Sequence, residues 1–159
     1  MNNEQVTTNK GSMLQEDLIE HQIIVAVRYV LKERINQVLL DIRFPIPPVE
    51  FMDYCGDSAV TPIVTLSLCE RTEKERIIRL DAYSITVTFT LPETPESEKY
   101  CYVYSGAVSR AVYDNPTLGG IADRAVITGK KYLSPKKANC GEGWRLEITM
   151  RVTVEEMRQ

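Results

Sequence analysis

Residues 144–155 read WRLEITMRVTVE, in which every second residue is apolar. Strict alternation of this kind predicts a β-strand with one buried face. Residues 83–91, YSITVTFTL, repeat the pattern with serine and threonine at the intervening positions. Val64, Leu66 and Leu68 alternate in the same way, so we expect all three on one face of a strand. The three segments predict an antiparallel sheet with one apolar face.

A long helix is predicted before the first of these strands. Apolar residues recur with helical spacing from Leu14 to Val38, which indicates an amphipathic helix of about 25 residues. Ser12 and Gln15 have the spacing of a capping box, so we expect the helix to begin there. It must end before Phe44, because FPIPP at 44–48 contains three prolines.

A second helix is predicted between residues 95 and 114. Thr94 is the expected N-cap and Pro95 suits the first helical position. Asn115 and Pro116 end the helix, and a strand near 122–132 follows.

This order predicts an α+β domain with a mostly antiparallel, four- to five-stranded sheet and two helices packed on one face. A short strand at 49–52 accounts for the uncertainty in strand number. We expect residues 1–12 to form a flexible N-terminal tail and 13–159 a single domain. The strands before and after the polar sequence RTEKER (71–76) should form a long hairpin that projects beyond the sheet.

Composition excludes several classes of protein. The chain of 159 residues is 43% hydrophobic and carries a net charge of −3, which is typical of a globular domain and unlike a dedicated nucleic-acid binder. No apolar run reaches the ~18 residues of a membrane span. The start, MNNEQVTTNKGS, lacks a basic segment followed by an apolar one, so we expect no secretory signal and no membrane partner.

Residues suited to catalysis or metal binding are sparse. The four cysteines, at 55, 69, 101 and 140, form no C-x₂-C pair and are expected to be reduced thiols. His21 is the single histidine, and no nucleophile motif accompanies it. TGKK at 128–131 lacks the upstream glycine of a phosphate-binding loop. We therefore expect no metal, no cofactor and no enzymatic activity.

One concentration of positive charge, a lysine cluster, and the polar hairpin tip 71–76 are each either solvated surface or a contact for DNA or an acidic partner. These residues are Arg71, Lys74 and Arg76 at the predicted hairpin tip, and Lys130, Lys131, Lys136 and Lys137 in and after the strand near 122–132. The loops at 44–61 and 133–143 are further candidate contacts.

The segment Asn115-Pro116-Thr117-Leu118-Gly119-Gly120 is the most informative one. Its proline ends a helix, and its paired glycines permit positive φ where the chain reverses. A helix ending in NPTLGGIADRA, followed by a strand, a loop and a closing W-x₆-V-x-V strand, resembles the tail terminator family of long-tailed bacteriophages and prophages. The resemblance covers residues 13–155 and includes the long first helix, the Pro-rich loop and the TPIVT strand; the 133–143 loop with Cys140 has no counterpart in it.

The resemblance implies a non-enzymatic assembly protein of the virion tail, made in the bacterial cytoplasm. Tail terminators form a ring, usually a hexamer, on the end of a completed tail tube. The ring stops tube polymerisation and offers a surface to the head completion or connector protein, while DNA passes through its central hole. The partners implied are therefore further copies of the chain, the tube protein and the connector protein, with DNA only as cargo.

Two alternatives stay open at this stage. A head-to-tail joining protein or a tube subunit shares the same architecture, and a tube subunit would polymerise without limit. A protein of another class, a small α+β ligand-binding domain or enzyme, would need a pocket, for which Cys101, Tyr104 and Trp144 are the candidate lining.

Overall fold

The computed structural model describes residues 3–42, 45–51, 60–74, 78–135 and 143–157. Within these residues the chain forms two helices and four strands. In chain order they are α1 (Asn3–Ile42), β1 (Ile63–Lys74), β2 (Ile78–Leu91), α2 (Ser97–Asp114), β3 (Arg124–Leu133) and β4 (Trp144–Met157).

The four strands form one antiparallel sheet in the order β1-β2-β4-β3, which confirms the α+β prediction. We call the face that packs on the helices the helix face. It holds Tyr83 to Leu91 at odd positions of β2 and Leu146 to Val152 at even positions of β4, all buried. The other face, the open face, carries the intervening polar residues, such as Thr86 and Thr149.

Helix α1 is longer than the sequence predicted. It begins at Asn3 instead of near Ser12 and spans 40 residues. No proline interrupts residues 3–11, and the one glycine there, Gly11, lowers helix propensity without ending a helix. The flexibility predicted for residues 1–12 remains a prediction. The predicted end is confirmed, since α1 stops at Ile42, just before FPIPP.

Strands β1 and β2 form the predicted hairpin, but the face predicted for one residue is wrong. The register shifts between Leu66 and Leu68, which leaves Ser67 as a bulge residue. An extra residue reverses the alternation, so Val64 and Leu66 lie on the helix face and Leu68 lies on the open face, 49% exposed.

The hairpin also ends later than predicted. Strand pairing continues to Lys74 and Ile78, so Arg71 lies inside β1 and not at the tip. The predicted projection beyond the sheet is not confirmed, because β4 accompanies β2 along its whole length, from Ile78 opposite Met157 to Leu91 opposite Trp144.

Two local predictions also need correction. Thr94 is not the N-cap of α2: the helix begins at Ser97 with Glu96 at the N-cap position and no side-chain capping hydrogen bond, while the Thr94 hydroxyl hydrogen-bonds to the Ser97 hydroxyl (2.8 Å). Of the short strand predicted at 49–52, residues 49–51 are described, and they form a single bridge, between Val49 and Val60.

Candidate subunit-contact surface

The turn at 115–120 connects α2 to β3 through a dense set of backbone hydrogen bonds. Asn115 terminates the helix, where its N–H donates to the Val112 carbonyl (3.1 Å) and its side-chain amide donates to the Ala111 carbonyl (3.0 Å). The Thr117 carbonyl then accepts from both Gly120 (3.0 Å) and Ala122 (3.0 Å). The segment is therefore a well-defined structural turn.

Three consecutive residues of this turn have positive φ: Leu118 (50°), Gly119 (76°) and Gly120 (94°). Glycine adopts such values without the steric cost that a Cβ imposes. Leu118 tolerates its value because its side chain is buried, 2% exposed, in the core beneath the turn. Only Leu118 contributes a side chain to the core, so the turn positions β3 relative to α2 and bears no reactive group.

Strand β3, which follows this turn, is one edge of the sheet. Its start is covered, because the Ala125 N–H donates to the Pro116 carbonyl (2.7 Å). Beyond Ala125, no backbone–backbone hydrogen bond from the described ranges reaches this edge. An edge of this kind is able to pair with a strand from another chain.

Both edge strands carry a bulge, and in each the hydroxyl of the bulge residue hydrogen-bonds to a carbonyl of the neighbouring strand. In β1 the Ser67 hydroxyl donates to the carbonyl of Ser84 on the neighbouring strand (3.2 Å). In β3 the Thr128 hydroxyl donates to the carbonyl of Thr149 in the same way (3.2 Å). A bulge interrupts regular pairing, which limits how far an added strand can extend along either edge.

An open groove of about 870 Å³ runs between α2 and β3. Gly106 and Tyr113 line its α2 side, while Ala125, Val126 and Ile127 line its β3 side. Tyr113 is 84% exposed, and Tyr102 and Tyr132 add an exposed aromatic pair with ring centroids 5.4 Å apart. Clustered exposed aromatic residues beside a free edge are typical of a protein contact surface.

This groove was not predicted from the sequence. The apolar stripe of α2 suggested only a buried face, and Tyr113 lies beside that stripe at the end of the helix. The sequence did indicate that these rings are exposed. Tyr102 and Tyr113 are out of phase with the buried positions of α2, so helical periodicity places them away from the core.

The predicted lysine cluster is divided between the two faces of the sheet. Lys130 pairs with Ile148 on the helix face, and its ammonium donates to the Ser105 carbonyl (3.3 Å). Lys131 lies opposite Glu147 on the open face. Consecutive residues of a strand point in opposite directions, so these two lysines do not form one positive patch.

Outside the described residues lie Lys136, Lys137 and Arg76, together with residues 44, 52–59 and 136–142 of the two candidate contact loops. Lys74 ends β1.

Arg71 is engaged inside the hairpin. Its Nε lies 2.9 Å from Oδ1 of Asp81, and Nε of Arg79 lies 3.5 Å from the other carboxylate oxygen. Asp81 is only 5% exposed, so its charge needs these cations. Arg71 therefore has a structural role in the hairpin, and its role as a partner contact remains a prediction.

The Pro-rich segment is held against the helices where it is described. Asn36 on α1 forms two hydrogen bonds with the backbone of Val49: its Nδ2 donates to the carbonyl (3.0 Å) and its Oδ1 accepts from the N–H (2.7 Å). The Tyr104 hydroxyl donates to the Pro47 carbonyl (2.5 Å). Residues 45–51 are therefore anchored to the domain.

The side chains proposed for a ligand pocket do not form one. Cys101 and Tyr104 are fully buried in the core, where Tyr104 stacks on Phe89 with ring centroids 4.9 Å apart. Burial raises the pKa of the Cys101 thiol to about 11 and raises that of the Tyr104 hydroxyl above its usual range. Trp144 instead borders a separate surface depression of about 500 Å³.

The described residues contain no group of three or more His, Cys, Asp or Glu side chains placed to hold a metal ion. Over the same ranges, neither helix is both long and apolar enough to cross a membrane. No family model matches this sequence, and no curated protein matches it.

Proposed function

We propose that this chain is a phage or prophage tail terminator, which forms a ring on the end of the tail tube, stops tube polymerisation and provides the surface for head joining. In this proposal the protein acts in the virion tail after synthesis in the bacterial cytoplasm. Its partners are other copies of itself, the tube protein and the head completion or connector protein, and it has no catalytic role.

The support from sequence is the resemblance carried by NPTLGG at 115–120 and by the order of elements around it. In the structure this segment links α2 to the edge strand β3 and helps to form one wall of the groove through Pro116. The resemblance therefore falls on residues that shape a candidate contact surface.

The observation that carries the proposal is the position of the two edge strands. β1 and β3 lie at opposite sides of one antiparallel sheet, and an even number of strands makes them run in opposite directions. A second copy placed beside β3 in the same orientation would present its β1 antiparallel to it. Such a contact is heterologous, and a heterologous contact forms a ring when its rotation closes.

Light scattering over a range of protein concentrations, with and without tail tubes, tests this proposal. We expect a discrete species near six times 18.1 kDa, or a monomer that forms such a species only on tubes. Polymers that grow without limit would identify a tube subunit instead. A monomer at every concentration that ignores tubes would reject both assignments.

Two variants locate the contact. Tyr113→Ser removes an exposed ring from the groove and should weaken the discrete species by tenfold or more, which corresponds to about 1.4 kcal/mol. Tyr29→Ser makes the same change on α1, at a residue that is exposed but does not line the groove, and should leave assembly unchanged. Equal effects of the two changes would argue against the groove as the contact.

A further inference from the structure

The open face of the sheet has a basic half beside the candidate contact groove, and one of its cations, Arg124, also lines that groove. Arg151 lies opposite Val126, and Arg124 lies opposite Thr153, the next open-face position on β4. The two arginines are therefore diagonal neighbours on the same face, and both are exposed. Further along β3, past the bulge and Gly129, Lys131 lies on the same face and is also exposed.

These three cations form no ion pair with a described residue. Arg145 is the fourth cation of this half. Its Nε lies 3.7 Å from Oε1 of Glu147, the residue opposite Lys131. The half is thus locally positive in a chain whose net charge is −3.

Carboxylates also lie on this face. Glu70 is on β1, at the far edge of the sheet, but Glu155 follows Thr153 on the open face and is a diagonal neighbour of Arg124, as Arg151 is. Asp123 precedes Arg124 and accepts a hydrogen bond from the Glu155 N–H, so four cations lie near three carboxylates, Asp123, Glu147 and Glu155, and the excess is one positive charge. Between the cations and the centre of the sheet the face presents hydroxyls, including Thr149 and Thr86 in one row across β4 and β2. Arginine, lysine and threonine are the side chains that commonly contact nucleic-acid phosphates.

We infer that this basic half of the open face binds the phosphate backbone of duplex DNA without sequence preference, through Arg124, Arg151 and Lys131. A protein partner is a poorer fit, because the centre of the face presents serine and threonine, such as Ser84, Thr86 and Thr149, whereas stable protein interfaces have an apolar or aromatic centre. Single-stranded DNA is also a poorer fit. Of the strand residues described on the open face, none is aromatic, and single strands are held largely by stacking on aromatic rings.

The inference does not depend on ring formation, since one subunit carries the complete set of cations. Three phosphate contacts predict a salt slope of about −2.7 for the logarithm of the affinity against the logarithm of the salt concentration. Binding of one subunit should therefore weaken by roughly 40-fold between about 50 and 200 mM salt.

Fluorescence anisotropy of a labelled DNA duplex of mixed sequence, titrated with the full chain at several salt concentrations, tests the inference. Arg151→Glu should weaken binding and reduce the salt slope by about 1. Arg28→Glu is the matched control, because it makes the same charge change at an exposed position of α1, on the other side of the sheet. Both sites are exposed, and unchanged melting temperatures would show that the variants fold.

Binding that is lost in Arg151→Glu and kept in Arg28→Glu supports the inference. Equal loss in the two variants would show a response to net charge only and would overturn it. So would the absence of duplex binding at low salt, tighter binding of single strands than of duplex, or equal binding of a polyglutamate peptide. The oligomeric state measured in the same samples tests the terminator proposal separately, so either proposal can fail alone.

Discussion

Gly143, the residue that leads into β4, offers the sharpest test of the packing. It is buried, and its φ of 147° is one that residues with a Cβ rarely adopt. A Cβ placed on it would lie 2.0 Å from the carbonyl oxygen of Leu91 and 3.0 Å from the carbonyl carbon. The contact is with backbone, so no side chain can rotate away to relieve it.

The cost of Gly143→Ala follows from these two features. An unfavourable φ costs about 1–3 kcal/mol. Relieving the clash requires the start of β4 to move away from Leu91, which disrupts the pairing of Trp144 with Leu91 at the end of the ladder and loses hydrogen bonds of about 1 kcal/mol each. We expect a total destabilisation of about 4 kcal/mol, a large part of the ~5–15 kcal/mol typical of a domain.

Urea unfolding followed by circular dichroism measures this effect. With a slope of about 2 kcal/mol per molar urea, the midpoint should fall by about 2 M. Gly106→Ala is the matched control: Gly106 is an exposed helical residue with no atom within 4 Å of an added Cβ, so the change should stabilise the protein by about 1 kcal/mol. A midpoint for Gly143→Ala equal to that of the unmodified protein would refute the close approach to Leu91.

Two further predictions concern the interior. Asn36→Ala should destabilise the domain by about 2 kcal/mol in the same urea assay, because it leaves the buried backbone of Val49 without its two hydrogen bonds. The control is Gln37→Ala at the next, exposed position, which should change stability by less than about 0.5 kcal/mol. Thiol labelling mapped by mass spectrometry should modify Cys69, which is exposed, long before Cys101, whose pKa of about 11 and complete burial both oppose reaction. Faster labelling of Cys101 than of Cys69 in the folded protein at neutral pH would contradict this burial. Because burial raises the pKa of the Cys101 thiol from 9.0 to about 11, its neutral form contributes stability that is complete below pH 9 and is lost as the pH rises toward 11.

Regular alternation made the central strands predictable. From Trp144 to Val154 and from Tyr83 to Leu91 each side chain lies on the face that the pattern indicated, since period-two alternation has one solution when a single face is buried. The edge strands were less predictable. Whether Leu68 faces the helices depends on a bulge at Ser67, and a bulge is defined only by the register against the partner strand.

The candidate contact surface was predicted only in part. NPTLGG was recognised as the informative segment, and its proline and glycines indicated the turn that the structure contains. The groove beside it was missed, because it exists only where α2 and β3 come together. Runs of charge misled for a similar reason: adjacent lysines 130 and 131 read as one patch in sequence, but a strand directs them to opposite faces.

The sequence by itself determined the class of fold, the order of the elements and the buried faces of β2 and β4, because these follow from local periodicity and from prolines that act within a few residues. Only the tertiary structure decided which strands are the edges, where the bulges fall, that Arg71 neutralises a buried aspartate, and that Arg124 and Arg151 meet on the open face. Each of these depends on pairing between different strands, and pairing register is a property of two strands that neither strand encodes alone.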